Sequence, residues 1–121
     1  MPKTQIHGKR RAPGYHSGGV VELTDLDSGP MKVGLVRALS LYGCLVRTDA
    51  SVKENARVAI EIAHSGTQIS VMGRVVACVG DQSSRGLGIE FTEIDANDKK
   101  RLEACLSELA ASQNLPAVPN P

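Results

Sequence analysis

The chain has 121 residues and a formal net charge of +1, and only 2% of its residues are aromatic. This length suffices for one domain with a modest core, which must be built from Val, Ile, Leu and Ala. No apolar run approaches the roughly 20 residues that span a bilayer, and the polar residues 1–7 lack the hydrophobic stretch of a signal peptide. We therefore expect one cytoplasmic domain without membrane insertion.

The cysteines give no sign of a disulfide framework or a metal centre. Cys44, Cys78 and Cys105 are far apart in sequence, form no C-x-x-C pair, and have no histidine at metal-ligand spacing. Reduced thiols that pack as small apolar side chains explain them better. The sequence therefore predicts no metal and no cofactor.

The chain begins with a basic segment, residues 1–19, which is rich in Gly and Pro and has no apolar periodicity. This segment contains no acidic residue, and its basic residues are Lys3, Lys9, Arg10 and Arg11. This pattern predicts a flexible basic arm, which either only solubilises the domain or binds an anion. At the other end, several prolines predict a disordered tail over residues 111–121.

Between these ends, apolar and polar residues alternate with the period of two that is typical of strands. The clearest example is Val58, Ile60 and Ile62, which alternate with charged or small residues. Gly73, inside the longest run, indicates a bulge or bend of the kind that barrel closure requires. The predicted strands, in chain order, cover residues 20–24, 31–39, 44–48, 57–62, 69–79 and 87–92.

One amphipathic helix follows the last strand. Leu102, Cys105 and Leu109 recur at i, i+3 and i+7 and form one apolar stripe that must lie on the sheet. Asp95 precedes this stripe as a suitable N-cap. Six short antiparallel strands followed by one C-terminal α-helix predict an all-β fold, a six-stranded antiparallel barrel plus helix that occupies residues 20–110.

The turn between the second and third predicted strands contains the candidate ligand-binding residues. Its residues, 38–43, read Ala-Leu-Ser-Leu-Tyr-Gly. Such a turn is either an ordinary hairpin or a binding element, since it offers the Ser40 hydroxyl, free backbone N–H groups and, at Gly43, close access to the backbone. The arginines of the arm would add charge and bidentate donors. Together they predict a small receptor for an anionic, guanine-like ligand.

Three segments resemble the PilZ domain, the bacterial receptor module for cyclic di-GMP. Residues 38–43 resemble its D/N-x-S-x-x-G turn, residues 73–79 are similar to its long strand, and residues 86–91 with the following helix resemble its closing elements. The resemblance covers about residues 10–110 and implies a six-stranded, PilZ-like split barrel. It also implies an R-x-x-x-R arm that wraps cyclic di-GMP against the turn.

The resemblance assigns ligand contacts to Arg10 or Arg11, as the first arginine of the arm, and to Ser40 and Gly43 of the turn. The second arginine is missing, because Gly14 follows Arg10 by four residues and Tyr15 follows Arg11 by four. We expect Tyr15 to stack on a purine base instead.

The turn departs from the family pattern as well, because Ala38 stands where the family has Asp or Asn. Loss of one charged hydrogen bond costs about 1.5–3 kcal/mol. Strict strand alternation predicts that Arg37 and Ala38 face opposite sides, so that Arg37 offers no replacement.

Two functions remain open at this stage. The first is a PilZ-type cyclic di-GMP receptor that signals to a protein partner in motility, adhesion, exopolysaccharide production or virulence. The alternative is a ligand-independent adaptor of the same fold that has lost cyclic di-GMP binding. DNA or RNA binding is disfavoured because aromatic residues are few and the chain beyond the arm is acidic. Enzymatic activity is not expected, since no Ser–His–Asp order or Cys–His pairing stands out.

Overall fold

In the computed structural model, residues 14–49, 51–81 and 84–114 are described. They form seven strands and one helix. The strands are β1 (Tyr15–His16), β2 (Val20–Asp25), β3 (Met31–Leu39), β4 (Gly43–Arg47), β5 (Arg57–His64), β6 (Thr67–Asp81) and β7 (Ser84–Glu93), and the helix is α1 (Ala96–Asn114).

Six of the strands close into an antiparallel barrel, as the sequence predicts. The order of hydrogen-bonded neighbours is β3, β2, β5, β6, β7 and β4, and β4 pairs with β3 to complete the ring. Closure leaves the sheet without an unpaired edge along most of its length. The predicted bend also occurs, because the register between β6 and β7 shifts between Met72 and Gly73. The six-stranded barrel with a C-terminal helix is confirmed.

Strand alternation fills the barrel with small branched side chains. On β5, for example, Val58, Ile60 and Ile62 are almost completely buried, whereas Arg57 and Glu61 are exposed. The tight β5–β6 hairpin uses positive φ angles at Ser65 and Gly66, which suits the right-handed twist of the strands it joins.

The apolar stripe of α1 belongs to the same core, since Leu102, Cys105 and Leu109 are buried with the strand residues. Asp95 caps the helix by accepting a hydrogen bond from the Asp98 N–H at 2.8 Å, and this bond is the main reason that the pKa of Asp95 lies below its usual value. Asp98 in turn accepts from the Ser70 N–H at 3.1 Å, which fixes the start of α1 to β6. Within the described segments, no helix has the length and apolar character needed to cross a bilayer.

The folded part begins earlier and ends later than the sequence predicts. Tyr15 and His16 of the predicted arm form β1, which pairs with the end of β3, and α1 continues past residue 110 to Asn114. One side chain joins the two: the Gln113 amide accepts from the His16 N–H at 3.2 Å and donates to the His16 carbonyl oxygen at 2.7 Å. These backbone partners explain why order extends beyond the period-two and helical patterns. Residues 1–13 and 115–121 lie outside the described part.

The three thiols should differ sharply in reactivity. Desolvation raises the pKa of buried Cys44 to about 12, and it also raises the pKa of Cys105, with a further contribution from Glu108. Cys78 is exposed. We expect a thiol-alkylating reagent at pH 8 to label Cys78 first and the other two only after unfolding. Peptide mass spectrometry over a labelling time course checks this order, and equal labelling of Cys44 and Cys78 would contradict the buried position of Cys44.

Candidate functional site

The turn between β3 and β4 is held by the Ser40 side chain. Its hydroxyl oxygen accepts from the N–H groups of Tyr42 and Gly43, each at 3.2 Å, and the Ser40 N–H donates to the Gly43 carbonyl oxygen at 2.9 Å. These two N–H groups are therefore occupied, and the expectation that they are free for a ligand is wrong. Ser40 makes the turn rigid through a local side-chain-to-backbone bond.

Gly43 is required by the packing of β4 on β7. A Cβ atom at this position would overlap the Ile89 carbonyl oxygen. Next to it, the Tyr42 carbonyl oxygen accepts from the Phe91 N–H at 2.8 Å, which fixes the turn to β7. The serine and the glycine of the motif thus both have structural roles in this chain, whether or not a ligand is bound.

A β-bulge at Arg37 changes which side chains of β3 face outwards from the barrel. Val36 pairs with Val46 and Ala38 pairs with Leu45, so β3 advances by two residues while β4 advances by one. Val36 is buried, whereas Arg37 and Leu45 are exposed and Ala38 is half-buried. Because a bulge interrupts the alternation, Arg37 and Ala38 both lie on the outer face. The expectation that they point to opposite sides is wrong.

The other neighbour of this segment is β1. His16 pairs with Ala38 and is exposed, whereas Tyr15 pairs with buried Leu39. The ring of Tyr15 is half-buried and packs against the core. His16, Arg37, Ala38 and Leu45 therefore form one stretch of outer surface at the end of β3, which we call the bulge surface.

Two of the residues on the bulge surface were missed in the sequence. His16 and Arg37 carry no motif, and the bulge that exposes Arg37 depends on the register of β4, which short-range periodicity does not contain. For His16 the available signal was its position within the glycine-rich arm. Tyr15, which the sequence favoured, remains a predicted ligand contact, although its ring lies on the core side of β1.

Gly14, the first described residue, has room for a side chain. It is exposed, and among the described residues only the Leu39 carbonyl oxygen lies within 4 Å of a Cβ atom built on it, at 3.9 Å. The absence of an arginine at this position is therefore not forced by packing. Arg10 and Arg11, the predicted first arginine of the arm, lie outside the described residues.

Two cationic side chains lie at or beside the bulge surface, and one acidic residue, Glu90, lies opposite Gly43 on the same outer face. Arg37 and Arg47 are exposed, and in the described part of the chain neither side chain forms a hydrogen bond or an ion pair. Arg47 pairs with Leu35, two residues before Arg37, so the two arginines extend from the outer face of neighbouring strands. The described residues contain no group of three or more metal-ligating side chains. This surface is suited to an anion rather than a metal ion.

Comparison with known families decides the relationship. The model of the PilZ domain matches residues 9–108. The chain belongs to the PilZ family. No significant match was found among curated proteins.

The solved PilZ structures that resemble this chain share its fold at low sequence identity. The PilZ domain of YcgR from Escherichia coli, described with c-di-GMP, superposes with a TM-score of 0.71 at 15% identity, over 93% of this chain and 100% of that domain. The MrkH–c-di-GMP complex from K. pneumonia has a TM-score of 0.75 at 14% identity, over 90% of this chain and 56% of MrkH. The Bacillus subtilis inhibitor of motility MotI/DgrA has a TM-score of 0.67 at 18% identity, with coverages of 84% and 51%.

The PilZ model thus matches most of this chain, whereas the chain matches only part of several relatives. The chain spans 49% of the YcgR chain solved in complex with c-di-GMP and about half of MotI/DgrA. The TM-scores establish a shared barrel, whereas the low identities carry no ligand contact over to this chain. The residues that contact a ligand must be argued from this chain's own surface.

Proposed function

We propose that this PilZ domain is a cyclic di-GMP receptor that signals to a protein partner. The observation that carries the proposal is the family match over residues 9–108, because it includes both the arginines of the arm and the Ser40–Gly43 turn. Structural neighbours described in complex with c-di-GMP add support. Arg37 and Arg47, which are exposed and have no side-chain partner among the described residues, favour an anionic ligand at the end of β3.

In this proposal each predicted site residue has a distinct task. Arg10 or Arg11 contacts a phosphate with charge-assisted hydrogen bonds. Ser40 and Gly43 keep the end of β3 and the start of β4 rigid, so that the ligand meets a preformed surface. Tyr15 anchors β1 against the end of β3 and the core, and the part of its ring that stays exposed is the predicted stacking contact for a purine base.

The signal is ordering of the arm over the ligand, since the closed barrel offers no comparable movement. A partner protein in motility, adhesion, exopolysaccharide production or virulence would then read the changed surface. Exposed apolar side chains on neighbouring strands favour a protein as this partner: Leu45 on β4 and Val79 on β6 both approach Gly86 on β7.

Isothermal titration calorimetry tests direct binding. We expect a saturable heat with cyclic di-GMP, weaker than for a PilZ domain with both arm arginines, and a smaller or undetectable heat with cyclic di-AMP. Cyclic di-AMP is the matched control ligand, because its adenine carries an amino donor where guanine has the O6 acceptor. Absence of heat with folded protein and ligand at roughly 100 µM, a range that still detects −5 to −6 kcal/mol of binding free energy, would reject the receptor function.

A ligand-independent adaptor is the second candidate, and one observation favours it. Because Ser40 holds the turn and Gly43 fits β4 against β7, both motif residues would be retained for stability after loss of the ligand. An adaptor would give no heat with cyclic di-GMP and yet bind its protein partner with unchanged affinity in the presence and absence of the nucleotide.

A further inference from the structure

The arm of this chain lacks one guanidinium, since Gly14 has no side chain and Tyr15 packs towards the core. The bulge in β3 brings another guanidinium to the same place. We propose that Arg37 binds the ligand and takes over the part of the missing arm arginine. This inference rests on the proposed function and names a contact that the family motif does not contain.

The position of Arg37 follows from the bulge. Arg37 is the extra residue between the Val36–Val46 and Ala38–Leu45 pairs, and its side chain extends from the outer face directly next to Ala38. Its carbonyl oxygen accepts from the Ser17 N–H at 3.3 Å, so its backbone is bonded to the segment that follows β1. The side chain therefore starts from a fixed point between the arm and the turn, where a ligand held by both would lie.

Arg37 is also available. It is exposed, and within the described segments its guanidinium has neither a carboxylate nor a carbonyl partner. An arginine engaged in an ion pair would have to break it before binding a ligand, whereas Arg37 loses only hydration and side-chain freedom. The nearby Arg47 adds a second positive charge to the same face.

The chemistry of a guanidinium matches two parts of cyclic di-GMP. It can donate two parallel hydrogen bonds to a phosphate, or to O6 and N7 of a guanine. The methyl group of Ala38 and the side chain of Leu45 form an apolar floor beside it, on which a base can lie. A guanidinium only donates, so Arg37 replaces the missing arginine and not the acceptor that Asp or Asn would provide at Ala38.

The test compares three variants by calorimetry with cyclic di-GMP. Arg37→Gln should weaken binding roughly 10- to 100-fold, the equivalent of one lost charged hydrogen-bonding contact. Arg57→Gln is the matched control, because Arg57 lies at the start of β5, pairs with Arg74 on β6 rather than with β3 or β4, and its ion pair with Asp27 is exposed. In the third variant, Gly14→Arg is added to Arg37→Gln and should restore most of the lost affinity.

Each result bears on the inference. If Arg37→Gln binds cyclic di-GMP as tightly as the unmodified chain, Arg37 is not a ligand contact. The same follows if Arg37→Gln and Arg57→Gln weaken binding equally. In both cases the receptor function stands. If the unmodified chain gives no heat with cyclic di-GMP, both the receptor function and the proposed ligand contact of Arg37 are rejected. In that case a fourth variant, with Gly14→Arg as its single change, is titrated as well: if it binds, the surface is competent and Arg37 does not take the place of the arm arginine. Amide spectra of each variant verify that the barrel is intact.

Discussion

Cyclic di-GMP should bind about 10- to 100-fold more tightly to a Gly14→Arg/Ala38→Asp variant than to the unmodified chain. Most of the gain comes from the carboxylate restored on the bulge surface, because the guanidinium restored in the arm duplicates the contact that we propose for Arg37. Each charged hydrogen bond contributes about 1.5–3 kcal/mol, and each ~1.4 kcal/mol is a factor of ten in affinity. Space is available for both, because Gly14 is exposed with an open Cβ direction and Ala38 lies on the outer face. Titration calorimetry measures the gain.

A matched control separates position from charge. Ser28→Arg/Ala104→Asp introduces the same two charged side chains at exposed sites in the β2–β3 turn and on α1. This control should bind as weakly as the unmodified chain. If the Gly14/Ala38 variant also stays weak while remaining folded, the surface has lost the ligand more deeply than two side chains, and the adaptor function is favoured.

Gly43→Ala should destabilise the barrel strongly, because a Cβ atom at Gly43 makes the closest contact among the described glycines. Its Cβ atom would overlap the Ile89 carbonyl oxygen, so β4 would have to move away from β7. Overpacking that shifts backbone costs about 3 kcal/mol, which corresponds to a fall in melting temperature of roughly 10–20 °C for a domain of this size. Thermal unfolding followed by circular dichroism measures the change.

Gly88→Ala provides the comparison on the adjacent strand. There the nearest atom to a new Cβ is the Ala77 Cβ at 3.4 Å, an ordinary contact, and we expect a change within about 0.5 kcal/mol, as for a typical surface substitution. Equal melting temperatures for Gly43→Ala and Gly88→Ala would refute a structural role for the motif glycine. Ligand access would then be the better reason for a glycine at this position.

Local sequence patterns predicted most of the fold, because the strands and the helix of this chain are long and have one apolar face. The alternation of Val58, Ile60 and Ile62 and the stripe of α1 each require one face to be buried, and the structure buries those faces. The N-cap at Asp95 was predicted for the same local reason. By contrast, the two-residue β1 is too short to show a period, and it exists because β3 and Gln113 supply its hydrogen bonds.

The candidate site was only partly predictable, since its geometry depends on register. The turn residues Ser40 and Gly43 were found from spacing, but their structural roles depend on the contact between β4 and β7. Arg37 was excluded by strict alternation, and only the pairing of β3 with β4 reveals the extra residue that turns it outwards. Sequence spacing identifies which residues are near one another along the chain, whereas the bulge decides which of them share a surface.

Paired amide NMR spectra, recorded with and without cyclic di-GMP, test the central claim most directly. We expect the chemical shift changes to concentrate in residues 9–16 and 37–45, which include the arm arginines, His16, the bulge and the turn. The β5–β6 hairpin at residues 57–70 should remain unchanged. Changes centred on that hairpin, or unchanged spectra at saturating nucleotide, would contradict a ligand site at the end of β3.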